Sequence, residues 1–275
     1  MSKGILYLVA TPIGNLEDIS FRAIRILAEV ALIAAEDTRR TAKLLYRYEI
    51  DTPTLSVHKH NERQRTPSIL LRLEGGESVA LVTDAGTPLL SDPGAYLVKS
   101  ALARGLRVES IPGASAILSA LVASGLAGSQ FTFVGFPPSR SNSRKRWLQT
   151  LKGEPRPLIF FEAPHRIEKC LTDMAEILGD RQIAVCREMT KAHEELVVGP
   201  ISVVIGSVTG KKGEFTLVVA PHDDKKTRPE DEQIIREFGE MTKKETSRRA
   251  AIRQIAKKYG LSAQSLYTLL EEAKQ

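Results

Sequence analysis

The chain has 275 residues, 42% of them hydrophobic, enough for one large or two modest cores. Aromatic residues are only 5%, so those cores are aliphatic, and no apolar run approaches membrane-spanning length. The formal net charge of +6 favours a polyanionic partner, while two cysteines, Cys170 and Cys186, in apolar segments without metal spacing argue against a disulfide scaffold. The apolar run Ile5 to Ala10 is too short for a signal peptide, and a soluble, cytoplasmic protein without a membrane partner is expected.

Ile5 to Ala10 predicts a buried first strand, followed by the loop Thr11-Pro12-Ile13-Gly14-Asn15-Leu16-Glu17-Asp18. That loop is not G-x-G-x-x-G, which argues against a nicotinamide or flavin site. Ser20 caps an expected helix with Ile24, Leu27 and Ala28 inward. Val30 to Ala35 reads as a second strand, ending in Glu36-Asp37-Thr38-Arg39-Arg40. Asp37 or Thr38 can cap the helix running to Tyr48. Arg39 and Arg40 then stand at its positive end, where a nearby anion would offset the repulsion. His58 and His60 would point the same way on a strand, but no third ligand accompanies them and no metal is expected. A helix from about Arg63 to Leu73 and a Gly75-Gly76 turn follow.

Val79 to Val82 predicts another buried strand, and Thr83 to Gly94 an ordered loop. Asp92 before Pro93 has the form of a helix N-cap, with the helix stopping at Gly105. Asp84 stands where the strand leaves the sheet, the place where open α/β sheets bind ligands. It either closes an Asx-turn or, with Thr87, faces a ligand that has a cationic part. Arg107 to Ile111 is a further strand, and Pro112-Gly113-Ala114-Ser115-Ala116 opens a helix that ends at Gly125. Alternating strands and helices argue for a parallel sheet with helices on its faces. The Ile111–Pro112 junction is the expected domain boundary.

The second half reads as mixed α/β. Strands are expected at Phe131–Val134, Pro157–Phe161 and Ile183–Arg187, with antiparallel ones at Leu196–Val198, Val203–Ile205 and Phe215–Ala220. Between Ser129 and Gly153 no acidic residue occurs, while Arg140, Arg144, Lys145, Arg146 and Lys152 supply five positive charges. A flexible, serine-rich loop of this kind is either a solvated basic face or a phosphate-backbone contact; contact is the favoured reading. Asp223 to Asp231 reads as a linker. A basic helix–glycine–helix tail follows, capped by Thr246 or Ser247; it is either helix-turn-helix-like or a small packing appendage with a solvated face. The expected domains are therefore 1–111, 112–222 and the linker plus tail, 223–275.

Five stretches stand in order: Thr11-Pro-Ile-Gly-Asn-Leu-Glu-Asp18, Ala35-Glu-Asp-Thr-Arg39, Asp84-Ala-Gly-Thr-Pro88 with Ser91-Asp-Pro-Gly94, Pro112-Gly-Ala-Ser-Ala116, and Glu162-Ala-Pro-His-Arg166. Together they resemble the tetrapyrrole-methylase-like superfamily. Within it they are similar to the bacterial small-subunit ribosomal RNA methyltransferases that modify a cytidine 2′-hydroxyl of 16S RNA. The resemblance spans nearly the whole chain, with one departure at Ala114, where many relatives carry proline. It implies two α/β/α domains, usually in a homodimer, with S-adenosylmethionine in the cleft between them. It further implies cofactor contacts from Pro12, Asp84, Thr87, Ser115, Ala116, Phe161, Ala163 and Thr216.

A ribose hydroxyl is a weak acid and gains from a general base; the candidates are Glu36, Asp37, His58 and His165. Arg39, Arg40, Arg140, Arg144, Lys145, Arg146 and Arg166 suit contacts to RNA, free or in the assembled small subunit. The competing readings are a precorrin-type or diphthine-type methyltransferase, or a nucleic-acid-binding protein with a vestigial cofactor fold.

Overall fold

Strand and helix alternate through the first 111 residues because short, fully apolar runs are separated by amphipathic ones. The computed structural model describes residues 3–222, 231–243, 247–259 and 261–273. The strands are β1 (Ile5–Val9), β2 (Leu32–Ala35), β3 (Thr54–Ser56), β4 (Val79–Val82) and β5 (Arg107–Ile111). Between them run α1 (Phe21–Glu29), α2 (Thr38–Arg47), α3 (Glu62–Glu74) and α4 (Ala95–Ala103). The sheet order is β3-β2-β4-β1-β5, all parallel. Strands β2 and β4 are buried at every position, as strands covered on both faces must be. Val9 and Ile33 pack with Leu27 and Leu44 on one face; Leu6 and Leu81 pack with Leu73 and Leu97 on the other. Truncating one such side chain to alanine costs ~2–5 kcal/mol.

The second sheet is built from β6 (Thr132–Gly135), β7 (Leu158–Glu162), β8 (Gln182–Arg187), β9 (Glu195–Pro200) and β10 (Phe215–Val219). Its order is β6-β7-β10-β8-β9, with only the β6–β7 pair parallel. Helices α6 (Ser141–Thr150), α7 (Ile167–Leu178) and α8 (Ile201–Val208) cover one face around Phe160 and Leu217. Helix α5 (Ala116–Ala123) covers the other through Ile117, Ala120 and Leu121 against Ile159 and Val218. Both sheets lie in one compact unit, Met1–Pro221, the first ending at Ile111 and the second beginning at Thr132. The unit His222–Gln275 contains α9 (Asp231–Lys243), α10 (Arg248–Tyr259) and α11 (Ala263–Glu272), packed through Ile234, Ile252, Ile255, Leu266 and Leu270. Among the described residues no helix is long and apolar enough to cross a membrane.

Several local expectations change. Helix α4 begins at Ala95 behind Gly94 (φ 117°), so Asp92 is not its N-cap. A Cβ at Gly94 would run into Leu81 and Leu89, so both backbone angle and space require glycine there. Strand β3 ends at Ser56, leaving His58 and His60 in the following turn, where the His60 N–H donates to His58 Nδ1 (3.2 Å). Val203–Ile205 is helical: Ile201, Val204 and Val208 are buried one turn apart, a periodicity that overrides the β-branched run. Residues 141–150 form a helix instead of a flexible loop. Asp231 opens α9 rather than closing a linker; residues 223–230 and Thr246 lie outside the described residues. Ser247 accepts from the Ala250 N–H (3.3 Å) at the start of α10.

Candidate active site

The loops at the carboxyl ends of β1, β2, β4 and β5 face the loops of the second sheet across a cavity of about 410 Å³. Thr11 and Gly86 exchange both backbone hydrogen bonds (2.9 and 3.0 Å), which ties the first loop to the loop after β4. The Thr87 hydroxyl reaches the Ala114 carbonyl (3.4 Å), and Ser115 accepts from the Leu118 N–H as the cap of α5. The first N–H groups of α5 have no acceptor inside the helix, and Ala116 and Ile117 line the cavity. That end of the cavity therefore suits a carboxylate.

The opposite wall is acidic. Asp84 Oδ1 accepts from the Asp37 N–H (3.1 Å), and Oδ2 lies 3.3 Å from the Arg40 guanidinium. The Asp84 N–H in turn donates to Glu36 Oε2 (3.3 Å). Burial raises the Glu36 carboxyl above its usual range, opposed by the Asp84 N–H and reinforced by the Asp84 charge. Asp92 is pushed up to about 7, first by burial and then by the charges of Glu36 and Asp84. Asp37 goes the other way. It caps α2 by accepting from the Arg39 N–H (2.9 Å) and pairs with the Arg39 guanidinium (2.8 Å), which holds its carboxyl well below the ordinary value.

Across the cleft, Phe161, Ala163 and Thr216 present a flat, largely apolar surface, with Phe136 against Phe161 (ring centroids 5.5 Å apart). Glu162 is buried at the end of β7 and paired with Arg166 (3.0 Å), which also donates to the Pro137 carbonyl.

Of the residues singled out in sequence, Asp84, Thr87, Ser115, Ala116, Phe161, Ala163 and Thr216 all line the cavity, as do Glu36 and Arg40. Pro12 is buried and its neighbour Ile13 reaches the cavity in its place. Asp37, His58 and His165 are not in the lining. Arg39 is turned outward onto Asp37, and Arg166 is spent on Glu162, which corrects its reading as a free RNA contact. Arg144 is corrected too. Its side chain is 2% exposed, 2.6 Å from Asp173 on α7, and donates to the Pro138 and Ser139 carbonyls, so no phosphate can reach it. Lys145 leans on Asp173 and Glu176, whereas Arg140 and Arg146 are exposed. Sequence reading missed Asp92, Phe136 and Met189 in the lining. For Asp92 the Asp-Pro pair misled, because it has the form of a helix cap.

A model of the family described as Tetrapyrrole (Corrin/Porphyrin) Methylases matches residues 5–204. The chain belongs to that family. Within the family it is 45% identical over 274 residues to Ribosomal RNA small subunit methyltransferase I of Synechocystis, covering 97% of each chain. It is 49% identical over 231 residues to the protein of that name from Bacillus subtilis, covering 83% of this chain and 79% of that one. Among solved structures, the methyltransferase CobJ superposes with a TM-score of 0.62 at 17% identity, covering 80% of this chain and 95% of that one. A uroporphyrin-III C-methyltransferase from Thermus thermophilus, complexed with S-adenosylhomocysteine, gives 0.56 at 19% identity, covering 79% and 97%. These likenesses show the tetrapyrrole methylase fold, and the two ribosomal RNA methyltransferases carry the closer, residue-level similarity.

The residues present fit the methyl donor that membership implies. A sulfonium and an amine are cationic and match Asp84 and Glu36; a carboxylate matches the start of α5; a purine matches the largely apolar surface at Phe161 and Ala163. The volume falls within the range of small-molecule sites.

Proposed function

We propose that this protein transfers the methyl group of S-adenosylmethionine to the 2′-hydroxyl of a cytidine in 16S ribosomal RNA. The observation that carries the reading is the acidic, small-residue cleft between the two sheets in a chain matched end to end by a ribosomal RNA small subunit methyltransferase I. When bound, the cofactor supplies a methyl group already activated on sulfur. The protein then has to orient the acceptor, exclude water and take up one proton.

Asp84 and Glu36 hold the cationic side of the donor; the Thr11–Gly86 and Thr87–Ala114 hydrogen bonds fix the loop that carries Asp84, and the Asp84 N–H holds Glu36. Arg40 stands on the lip with its side chain 62% exposed while still tied to Asp84, so a phosphate drawn there is registered against the acidic wall. Arg39, Arg140 and Arg146 are further exposed cations that suit phosphate contact. We infer a homodimer acting in the cytoplasm. The exposed apolar side chains Leu118 and Val122, one turn apart on α5, favour a second copy.

The test is methyl transfer from labelled S-adenosylmethionine to naked 16S RNA, to assembled small subunits lacking the modification, and to a tetrapyrrole precursor. Label in RNA that leaves the neighbouring phosphodiester resistant to alkali is the expected result. Label only in the tetrapyrrole would keep the donor and overturn the acceptor.

A further inference from the structure

Asp92 sits in a segment that is costly to build. Leu89 (φ 75°) and Ser91 (φ 76°) are both left-handed without being glycine, and Gly94 follows at φ 117°. Each non-glycine outlier costs ~1–3 kcal/mol and persists only where the surroundings enforce it. The enforcement is visible: Leu89 packs with the first core, and Ser91 lies against Gly135 on β6 of the other sheet. The turn thus spans the cleft, and its outcome is to set the Asp92 carboxylate in the cavity wall beside Glu36 and Asp84.

The other acidic groups are occupied. Asp84 is shared between Arg40 and the Asp37 N–H, Glu36 accepts from the Asp84 N–H, and Asp37 is locked to Arg39. Among the described residues no cation pairs with Asp92, and the Thr83 hydroxyl faces it. That hydroxyl is buried at 2% exposure and forms no well-aligned hydrogen bond of its own. His58 and His165 lie outside the lining, and His58 Nδ1 is already an acceptor.

We propose that Asp92 is the general base, taking the proton from the acceptor hydroxyl; the assignment rests on the methyltransferase reading above. The bond that forms joins the 2′-oxygen to the methyl carbon. The bond that breaks is sulfur–methyl, and its electron pair stays on sulfur, leaving a neutral thioether. The hydroxyl proton passes to Asp92, which becomes a neutral carboxyl and later returns the proton to water.

Burial and then the charges of Glu36 after β2 and Asp84 after β4 set its basicity; Arg40 on α2 lines the same cavity, and Glu62 on α3 accepts from the Leu97 N–H of α4 (3.0 Å). Glu162 and Glu214 line the same cavity from the second sheet. A carboxyl held near 7 matches the working pH, where a general base is most effective.

The experiment measures kcat/KM for S-adenosylmethionine on small subunits from pH 5.5 to 9, for the wild type, Asp92→Asn and Glu36→Gln. Cofactor affinity by calorimetry and the Tm of the free protein against pH accompany it. The wild type should rise through an inflection near 7. Asp92→Asn should lose about 100-fold or more in kcat, lose the inflection, and keep cofactor affinity within about threefold. Glu36→Gln removes a neighbouring negative charge and should move the inflection to lower pH.

The free protein offers an independent sign. A folded carboxyl that holds its proton up to about 7, against roughly 3.9 unfolded, makes the native state bind the extra proton. Stability contributed by this group therefore falls as pH rises from 4 to 7, and the Tm advantage of Asp92→Asn should grow over that window. An inflection that survives in Asp92→Asn, or a defect confined to cofactor affinity, overturns the assignment. If Asp92→Asn does not fold, an inflection unmoved by Glu36→Gln overturns it instead. A wild type that labels no RNA would fail the functional reading first, and the base assignment with it.

Discussion

Two Arg–Asp pairs in this molecule look alike in sequence and do opposite work. Arg144 and Asp173 are 2% and 7% exposed, and the guanidinium also satisfies two backbone carbonyls. Arg40 and Asp84 are 62% and 27% exposed on the wall of the cleft. The first pair fastens α6 to α7 and has no access to a ligand. The second leaves a cation on the surface and a carboxylate in the cavity. Desolvation separates the two roles: a buried ion pair is costly to break and inert, whereas a half-exposed one can exchange partners.

The largest expected effect that sharpens the contrast is on the buried side. Arg144→Ala removes the main partner of the buried Asp173, leaving it the Ser141 hydroxyl and Lys145 at 3.7 Å, and should lower unfolding free energy by ~3 kcal/mol in denaturant titration. Cofactor affinity of the remaining folded protein should not change. If stability held and RNA binding fell, Arg144 would have to be reached by RNA after all. Next comes Asp84→Ala on the exposed side. Calorimetry should show cofactor affinity reduced about 100-fold or more, equivalent to ~2.7 kcal/mol, with the fold intact. Normal affinity would remove Asp84 from the site. Arg40→Ala should be milder: roughly tenfold in kcat/KM for RNA, with cofactor affinity retained, as expected for one charge-assisted contact of ~1.5 kcal/mol. Smallest is the double change Arg140→Ala with Arg146→Ala. Filter binding at several salt concentrations should show a flatter slope of log affinity against log salt, by ~0.7 for each phosphate that the arginines neutralise. A slope identical to wild type would assign those two arginines to solvent.

The basic stretch from Ser129 to Gly153 shows how such a contrast escapes a linear reading. It contains no acid of its own, so its charge looks free in the sequence. Residues 141–150 instead coil into α6, and packing against α7 brings Asp173 and Glu176 to Arg144 and Lys145. Partners about thirty residues away are invisible to local charge counting. The loops that line the cavity are more legible. Asp84, Thr87, Ser115 and Ala116 follow directly from strands whose apolar runs end sharply, so a turn at each carboxyl end is readable from Gly and Pro alone.

Sequence by itself determined the alternation of strands and helices in the first half, the loops that meet at the cleft, the aliphatic cores and the family to which the chain belongs. These depend on periodicity and on short local motifs, which a linear reading records. The tertiary structure alone decided which charges are free and which are consumed, since that depends on distance and burial. It placed the histidines outside the cavity lining and turned the 201–208 run into a helix. It also set Asp92 in the cavity wall instead of at a helix cap. Three carboxylates from two loops share one wall there, and burial together with mutual repulsion moves a proton affinity that neither loop encodes alone.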